Sequence, residues 1–256
     1  PELDISNPDS VARSFETVRP EAVINCAAYT DVDGAESDPA ACYAANSAGV
    51  ENLAVACRDH NSVFVTISTD YVFEGSKDGF YTQRDTPAPQ GVYARSKRDG
   101  EIRAFAAYPR SIIVRTGWIF GEHGRNFLSV VPDRLATGDA LTPISDSFGT
   151  PTFAPDLAVR LRDLAGDDLP GAYHVVNSGD GCSYLEFAQE VCDAGGFDRS
   201  LLKPSSYRDL DRPAPRPVNS RLACVVSERL GFEPLRDWRR AVAEFVSLQK
   251  KGWAAR

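Results

Sequence analysis

The stretch VFVTISTDYVF, Val63 to Phe73, decides the fold. Its first half, Val63-Phe64-Val65-Thr66-Ile67, is a short apolar run rich in β-branched residues. That is the pattern of a strand buried on both faces of a parallel sheet. Its second half, Ser68-Thr69-Asp70-Tyr71, turns abruptly polar. A hydroxyl-rich turn then stands at the carboxyl end of a buried strand, where open α/β sheets place their ligands.

Downstream lies YARSK, Tyr93 to Lys97. The i, i+4 spacing puts Tyr93 and Lys97 on one face of a helix. A phenol with a pKa near ~10 is a poor acid at neutral pH. An ammonium group beside it favours the phenolate and lowers that pKa. Such a pair can give a proton to a carbonyl oxygen while a hydride reaches the carbonyl carbon. Thr69 or Ser68 would hydrogen-bond the same oxygen. Alone, a Tyr-x-x-x-Lys pair fixes two positions of five and says little. Its conjunction with STDYVF makes the reading specific.

Working outward, strand and helix patterns alternate. Residues 1–6 read as the tail of a strand, and Asn7 or Asp9 as the cap of a helix over 8–18. A short strand over 21–25 runs into the small-residue turn NCAAYTDVD, where a ligand can approach the backbone closely. One long helix is expected over 36–60, and a helix over 91–108 carries Tyr93 and Lys97. Strands follow over 111–116, 141–145 and 172–176, and helices over 126–137, 155–164, 183–193, 226–230 and 235–248. The alternation argues for an α/β fold, a doubly wound parallel sheet. The less regular remainder reads as a smaller substrate lobe.

Seven segments occur in an order that resembles the extended short-chain dehydrogenase/reductases, and among them the dTDP-4-dehydrorhamnose reductase family. They are NCAAYTDVDGAE (Asn25 to Glu36), NSAGVENLA (Asn46 to Ala54), STDYVF (Ser68 to Phe73), YARSK (Tyr93 to Lys97), RTGWIFG (Arg115 to Gly121), Asp146 through Thr152, and RPVNS (Arg216 to Ser220). The resemblance implies a Rossmann-type domain over 1–121 and 149–178, lacking its first strands, with a discontinuous substrate lobe over 122–148 and 179–256. It implies NADPH or NADH as cofactor and a dTDP-4-keto-6-deoxy sugar as substrate, with dTDP-4-dehydro-L-rhamnose the specific expectation. Tyr93 would donate the proton, Lys97 would lower its pKa and hold the ribose, and Thr69 would orient the carbonyl.

The same resemblance assigns Asp4 and Ile5 to the adenine end of the cofactor. Ala27, Ala28 and Tyr29 would pass beneath its ribose and phosphates, and Ser68 joins them. Thr30, Val32, Tyr71 and Trp118 fall around the sugar and base, and Asn126 and Arg216 near the diphosphate, where a guanidinium presents paired donors. Asp70 reads as an orienting group, and Asn46 reads equally well as a backbone-bonded core residue. Two alternatives stay open: another nucleotide-sugar reductase or epimerase, and a cofactor-binding regulatory subunit resembling the methionine adenosyltransferase beta subunit. The intact STDYVF and YARSK weigh against the latter.

Composition narrows the partners. A net charge of -8 argues against nonspecific nucleic-acid binding. No apolar run approaches a membrane span, and no signal peptide is visible. The six cysteines form no Cys-x-x-Cys pair, which reads as reduced thiols in a cytoplasmic protein. The three scattered histidines give no zinc pattern. A homodimer is compatible with the resemblance. The chain has no Met, begins at Pro1 and contains no Gly-x-x-Gly-x-x-Gly loop. The expectation is an upstream unit of roughly 30 to 40 residues carrying that loop. Without it, the 256 residues are expected to bind dinucleotide poorly and to aggregate.

Overall fold

The computed structural model describes residues 3–254. Four parallel strands form the central sheet: β1 (Ala22–Asn25), β2 (Val63–Thr69), β3 (Ile112–Thr116) and β4 (Gly171–His174), hydrogen-bonded in that order. The register places Thr69 opposite Thr116 and Ser68 opposite Arg115. Every residue of β3 is buried, which is why its sequence shows no alternation.

Helices cover both faces, so the sheet is doubly wound. On one face lie α1 (Pro8–Val18), α2 (Gly49–His60) and α3 (Gly91–Ala107). Val11, Phe15, Leu53, Ala104, Phe64 and Ile113 close that interface. On the other face α5 (Ala154–Asp167) brings Leu157, Leu161 and Leu164 against Val65, Ile112 and Val114. Each such side chain taken out of water contributes about 1.5–3 kcal/mol before entropy is counted.

A separate apolar cluster joins α4 (Phe127–Ala136), α6 (Tyr184–Gly195) and α7 (Trp238–Ala254) around Phe120, Phe153, Phe187 and Phe245. Local signals fix these ends. Asn7 caps α1 through bonds to the amides of Asp9 and Ser10. Ser183 and Glu186 form a reciprocal capping box at α6.

Four expectations differ from what is found. Pro1 and Glu2 lie outside the described residues, and Leu3 to Ser6 form a turn, not a strand. The Asp4 carboxylate holds that turn by accepting from the Ser6 amide and hydroxyl. The expected helix over 36–60 is broken. Pro39 has no N–H to continue a ladder, and Asp38 caps a fresh start by accepting from Ala41 N. A π-helical turn at Ala44–Ala48 then precedes α2. The segment over 141–145 makes only isolated bridges, Leu141 with Leu202 and Ile144 with Ser205. The helix expected over 226–230 shrinks to a 3₁₀ turn, Glu228–Leu230.

Candidate functional site

A cleft of about 970 Å³ opens at the carboxyl ends of β1, β2 and β3. Its wall includes Ala27, Ala28, Thr30, Val32, Ser68, Thr69, Tyr71, Tyr93, Lys97, Trp118 and Asn126. Eleven of the fifteen residues assigned from the sequence thus border one cavity. Asp4, Ile5, Tyr29 and Arg216 do not. Asp4 is exposed in its turn, and Ile5 is buried in the core beneath α2. A Cβ on Gly49 would lie 2.7 Å from Ile5 Cγ1, so the two pack without space to spare.

Three devices hold the cleft. The first sets α3. Glu36 accepts from Val92 N at 2.7 Å, a carboxylate at the helix amino terminus. Gly91, at φ +73, leaves room for that carboxylate. Deeper in, Glu101 receives a two-pronged bond from Arg115, Nε to Oε1 at 2.9 Å and Nη2 to Oε2 at 2.8 Å. Ser68 and Arg98 also donate to Glu101. Burial pushes the Glu101 carboxyl up, but Arg115 and the other donors more than offset it, and the net shift is downward. This buried network ties α3 to β2 and β3, and so sets Tyr93 and Lys97 relative to Thr69. It also commits the Ser68 hydroxyl, whereas Thr69 points to the opposite side, as strand alternation requires.

The second device is Asn46. Its Oδ1 accepts from Tyr29 N at 2.9 Å, and its Nδ2 donates to Tyr29 O at 3.0 Å and to Ser96 Oγ at 3.0 Å. The π-helical turn presents Asn46 to do this. Gly100 on α3 allows the approach, because a Cβ there would sit 2.1 Å from Asn46 O. Tyr29 is therefore gripped through its backbone, which anchors the Ala27–Ala28 floor.

The third device is a clamp across the cleft's rim. Arg216 pairs with Asp33 at 2.9 and 2.7 Å, through both guanidinium prongs. It fastens the proline-rich 204–217 segment to the NCAAYTDVD turn. Asn126 is also committed: it caps α4 by accepting from Ser129 N and donates to Ile119 O.

The reactive groups are tuned by burial. Burial pushes the Tyr93 phenol up to about 12, against the pull of the Thr69 hydroxyl and with the Asp70 charge adding to the rise. The expected lowering by Lys97 does not appear among these influences. Lys97, one helical turn on, borders the same cleft, as do Arg134 and Arg212. Burial lowers Lys97 itself to about 8, with Glu101, Cys42 and Cys26 opposing. Its Nζ donates to Ile67 O at 2.7 Å. Asp70 is buried and pushed up to about 6, with the Ser220 and Thr69 hydroxyls opposing. Its Oδ2 has no hydrogen-bond partner among the described residues.

The aromatic wall is equally constrained. Trp118 takes φ +49, a left-handed conformation unusual for a large side chain. Its ring stacks on Tyr184 at 3.9 Å between centroids. Gly149 lies directly behind, where a Cβ would come within 2.1 Å of the indole. Strain held in place by surrounding contacts is a recurrent feature of ligand sites. Sequence reading singled out Trp118 and missed Tyr184, Glu36 and Glu101. Only Glu36 lay inside a quoted motif.

The model of the family described as RmlD substrate binding domain matches residues 1–250. A dTDP-4-dehydrorhamnose reductase of Mycobacterium tuberculosis is 41% identical over 247 residues, 94% of this chain and 80% of that protein. A Streptomyces antibioticus protein named as a probable dTDP-4,6-dihydroxy-2-methyloxan-3-one 4-ketoreductase is 38% identical, over 94% of this chain and 82% of its own. A dTDP-4-dehydrorhamnose reductase of Bacillus anthracis, solved in complex with NADP, superposes with a TM-score of 0.90 at 33% identity, covering 95% of this chain and 86% of that one. The sheet, the cleft and these likenesses agree, and the chain belongs to the RmlD substrate-binding family.

Proposed function

We propose that this protein reduces the 4-keto group of a dTDP-6-deoxy sugar at the expense of NADPH or NADH, with dTDP-4-dehydro-L-rhamnose as substrate and dTDP-L-rhamnose as product. The observation that carries the reading is the convergence of Thr69, Tyr93 and Lys97 on one cleft. The relatives named above supply the substrate class. We extend the reading to the division of the chain at 121, 149 and 178 and to a cytoplasmic location, where six free thiols persist.

The residues present fit a nicotinamide cofactor. Ala27 and Ala28 leave the floor without bulk. Among the described residues Lys97 Nζ donates only to Ile67 O, so N–H groups remain for ribose hydroxyls. When bound, the reduced nicotinamide supplies the hydride. The chain does the rest. Tyr93, protonated at neutral pH, gives its proton to the carbonyl oxygen. Thr69 hydrogen-bonds that oxygen and holds it near the phenol. Lys97 offsets the charge left on the phenolate. Tyr71 and Trp118 exclude water on the sugar side.

The test is to mix the protein with NADPH and a panel of dTDP-keto sugars and follow cofactor oxidation. Consumption selective for 4-keto-6-deoxy sugars is expected. Epimerisation without net oxidation of the cofactor would defeat the reading.

Trp118→Ala gives a narrower check. Stacking on an aromatic is worth roughly 1–3 kcal/mol per base in nucleic-acid binders. The variant is expected to weaken sugar-nucleotide binding on that scale while cofactor affinity holds, both read by calorimetry. An equal loss in both affinities, accompanied by a lower melting temperature, would make Trp118 a packing residue.

A further inference from the structure

A dTDP sugar brings the negative charge of a diphosphate into the cleft. The Asp, Glu, Lys and Arg side chains that border it are Asp70, Lys97, Arg134 and Arg212. Asp70 repels an anion. Lys97 donates to Ile67 O and, in the reading above, serves the phenol and the ribose. Arg134 is paired, Nε to Asp139 Oδ2 at 2.6 Å. The two residues assigned to the diphosphate from the sequence are also taken. Arg216 gives both prongs of its fork to Asp33, and Asn126 caps α4. Arg212 is left. It is exposed, and among the described residues its guanidinium makes no hydrogen bond and no ion pair.

The backbone that carries Arg212 is held from both sides. The 204–217 segment runs as a strap fastened at each end. At one end Asp146 accepts from Ser206 Oγ and Tyr207 N, both at 2.6 Å. At the other, Asp33 receives Arg216 at 2.7 Å and the Ala214 amide at 3.1 Å. Tyr207 Oη donates to Arg216 O at 3.1 Å and accepts from Arg216 N at 3.3 Å, which closes the strap on itself. Arg212 stands between these anchors. Pro213, Pro215 and Pro217 fix φ at alternate positions. Each also restricts the residue before it, Arg212 included, to extended backbone. Pro215 packs on the start of α3, where a Cβ on Gly91 would come 3.1 Å from its Cδ. The arginine's backbone is thus ordered before a ligand arrives, which lowers the entropy lost on binding.

The surroundings of Arg212 place it at the sugar-nucleotide end. Leu210, on the same strap, borders the cleft with it. Burial raises the Tyr184 phenol to about 12, with the Asp70 charge adding to the rise, and the Arg212 charge opposes both. Tyr184 is the ring that stacks on Trp118. A diphosphate extending from a sugar held at Tyr71 and Trp118 therefore meets the strap at this arginine. A guanidinium is always charged and presents paired N–H groups that match phosphate oxygens.

Resting on the reduction of a dTDP sugar proposed above, we propose that Arg212 holds the diphosphate of the sugar nucleotide and that Arg216 does not. Arg216 acts one step back, keeping the strap closed on Asp33 so that Arg212 stands over the cleft. Arg212 then separates a nucleoside diphosphate from the bare nucleoside, and an intact sugar nucleotide from the free sugar.

The experiment titrates the intact protein with dTDP and with thymidine by calorimetry, with NADP in excess, for the parent, Arg212→Ala and Arg134→Ala. The parent is expected to prefer dTDP. Arg212→Ala should lose about ten-fold or more in dTDP affinity, the scale of a hydrogen bond to a charged group. Its thymidine affinity and melting temperature should hold, because the side chain is exposed and bonds to nothing in the fold. Arg134→Ala should keep the parent's preference. A dTDP preference kept in Arg212→Ala, or lost in Arg134→Ala instead, would overturn the proposal and leave the reading of the reaction standing. A parent that binds dTDP no better than thymidine would do the same. A parent that binds neither would overturn the proposal and the reading of the reaction together.

Discussion

Tyr93→Phe is expected to lower turnover by on the order of 10²-fold or more, the usual scale of general acid catalysis, with cofactor affinity almost unchanged. The substitution removes one oxygen and keeps the ring. The edge-to-face contact with Tyr71, at 6.1 Å between centroids, survives it. So do the α3 anchors at Glu36 and Glu101, neither of which involves the phenol. What disappears is the proton. With its pKa pushed up to about 12, the phenol is protonated across the physiological range. Phenylalanine leaves Thr69 to hold the carbonyl oxygen with nothing to protonate it except water. Steady-state kinetics beside calorimetry of NADPH binding will separate the effects. Turnover within a few-fold of the parent would end the assignment of Tyr93 as the acid.

The sheet was legible because its code is local. The run Val63 to Ile67 is apolar on both sides, and the strand it makes is buried on both sides. Asn7 is a cap that its own neighbours announce, whereas Asn126, assigned to the diphosphate, caps its helix instead. The Tyr93–Lys97 face needs only helical periodicity. The devices that aim these groups were not legible, because their partners lie far away in sequence. Glu101 is one acid among many until Arg115 and Ser68 close on it. Asn46 could be read two ways, and the choice was made by Tyr29, seventeen positions upstream. The break in the 36–60 helix had a local sign, Asp38-Pro39, which helical periodicity on both sides outweighed. Arg216 shows the opposite failure. Its residue type suits phosphate, but Asp33 occupies both prongs of its fork. Nothing in RPVNS points across the chain to that aspartate.

Lys97→Met is expected to cost a similar factor, on the order of 10²-fold, and to change the pH profile in a defined direction. Lys97 is buried and its pKa is lowered to about 8, by burial first, while Glu101, Cys42 and Cys26 resist the shift. At pH 7 it is still mostly charged. As pH rises through about 8 the charge goes, and with it the offset for the phenolate. The parent's rate should therefore fall above that pH. In Lys97→Met no such group titrates there. The residual rate, much lower at pH 7, should hold through pH 8 and decline only toward the ionisation of Tyr93. Cofactor affinity should drop as well, because the ammonium that would meet the ribose is gone. Stability should move the other way. Between about 8 and 10.5 the folded chain holds fewer protons on Lys97 than the unfolded chain does, so stability rises with pH across that window and is lost as pH falls through it. Methionine removes the buried charge and that slope together. A variant with the parent's descending limb and the parent's NADPH affinity would show that Lys97 serves only to hold Ile67.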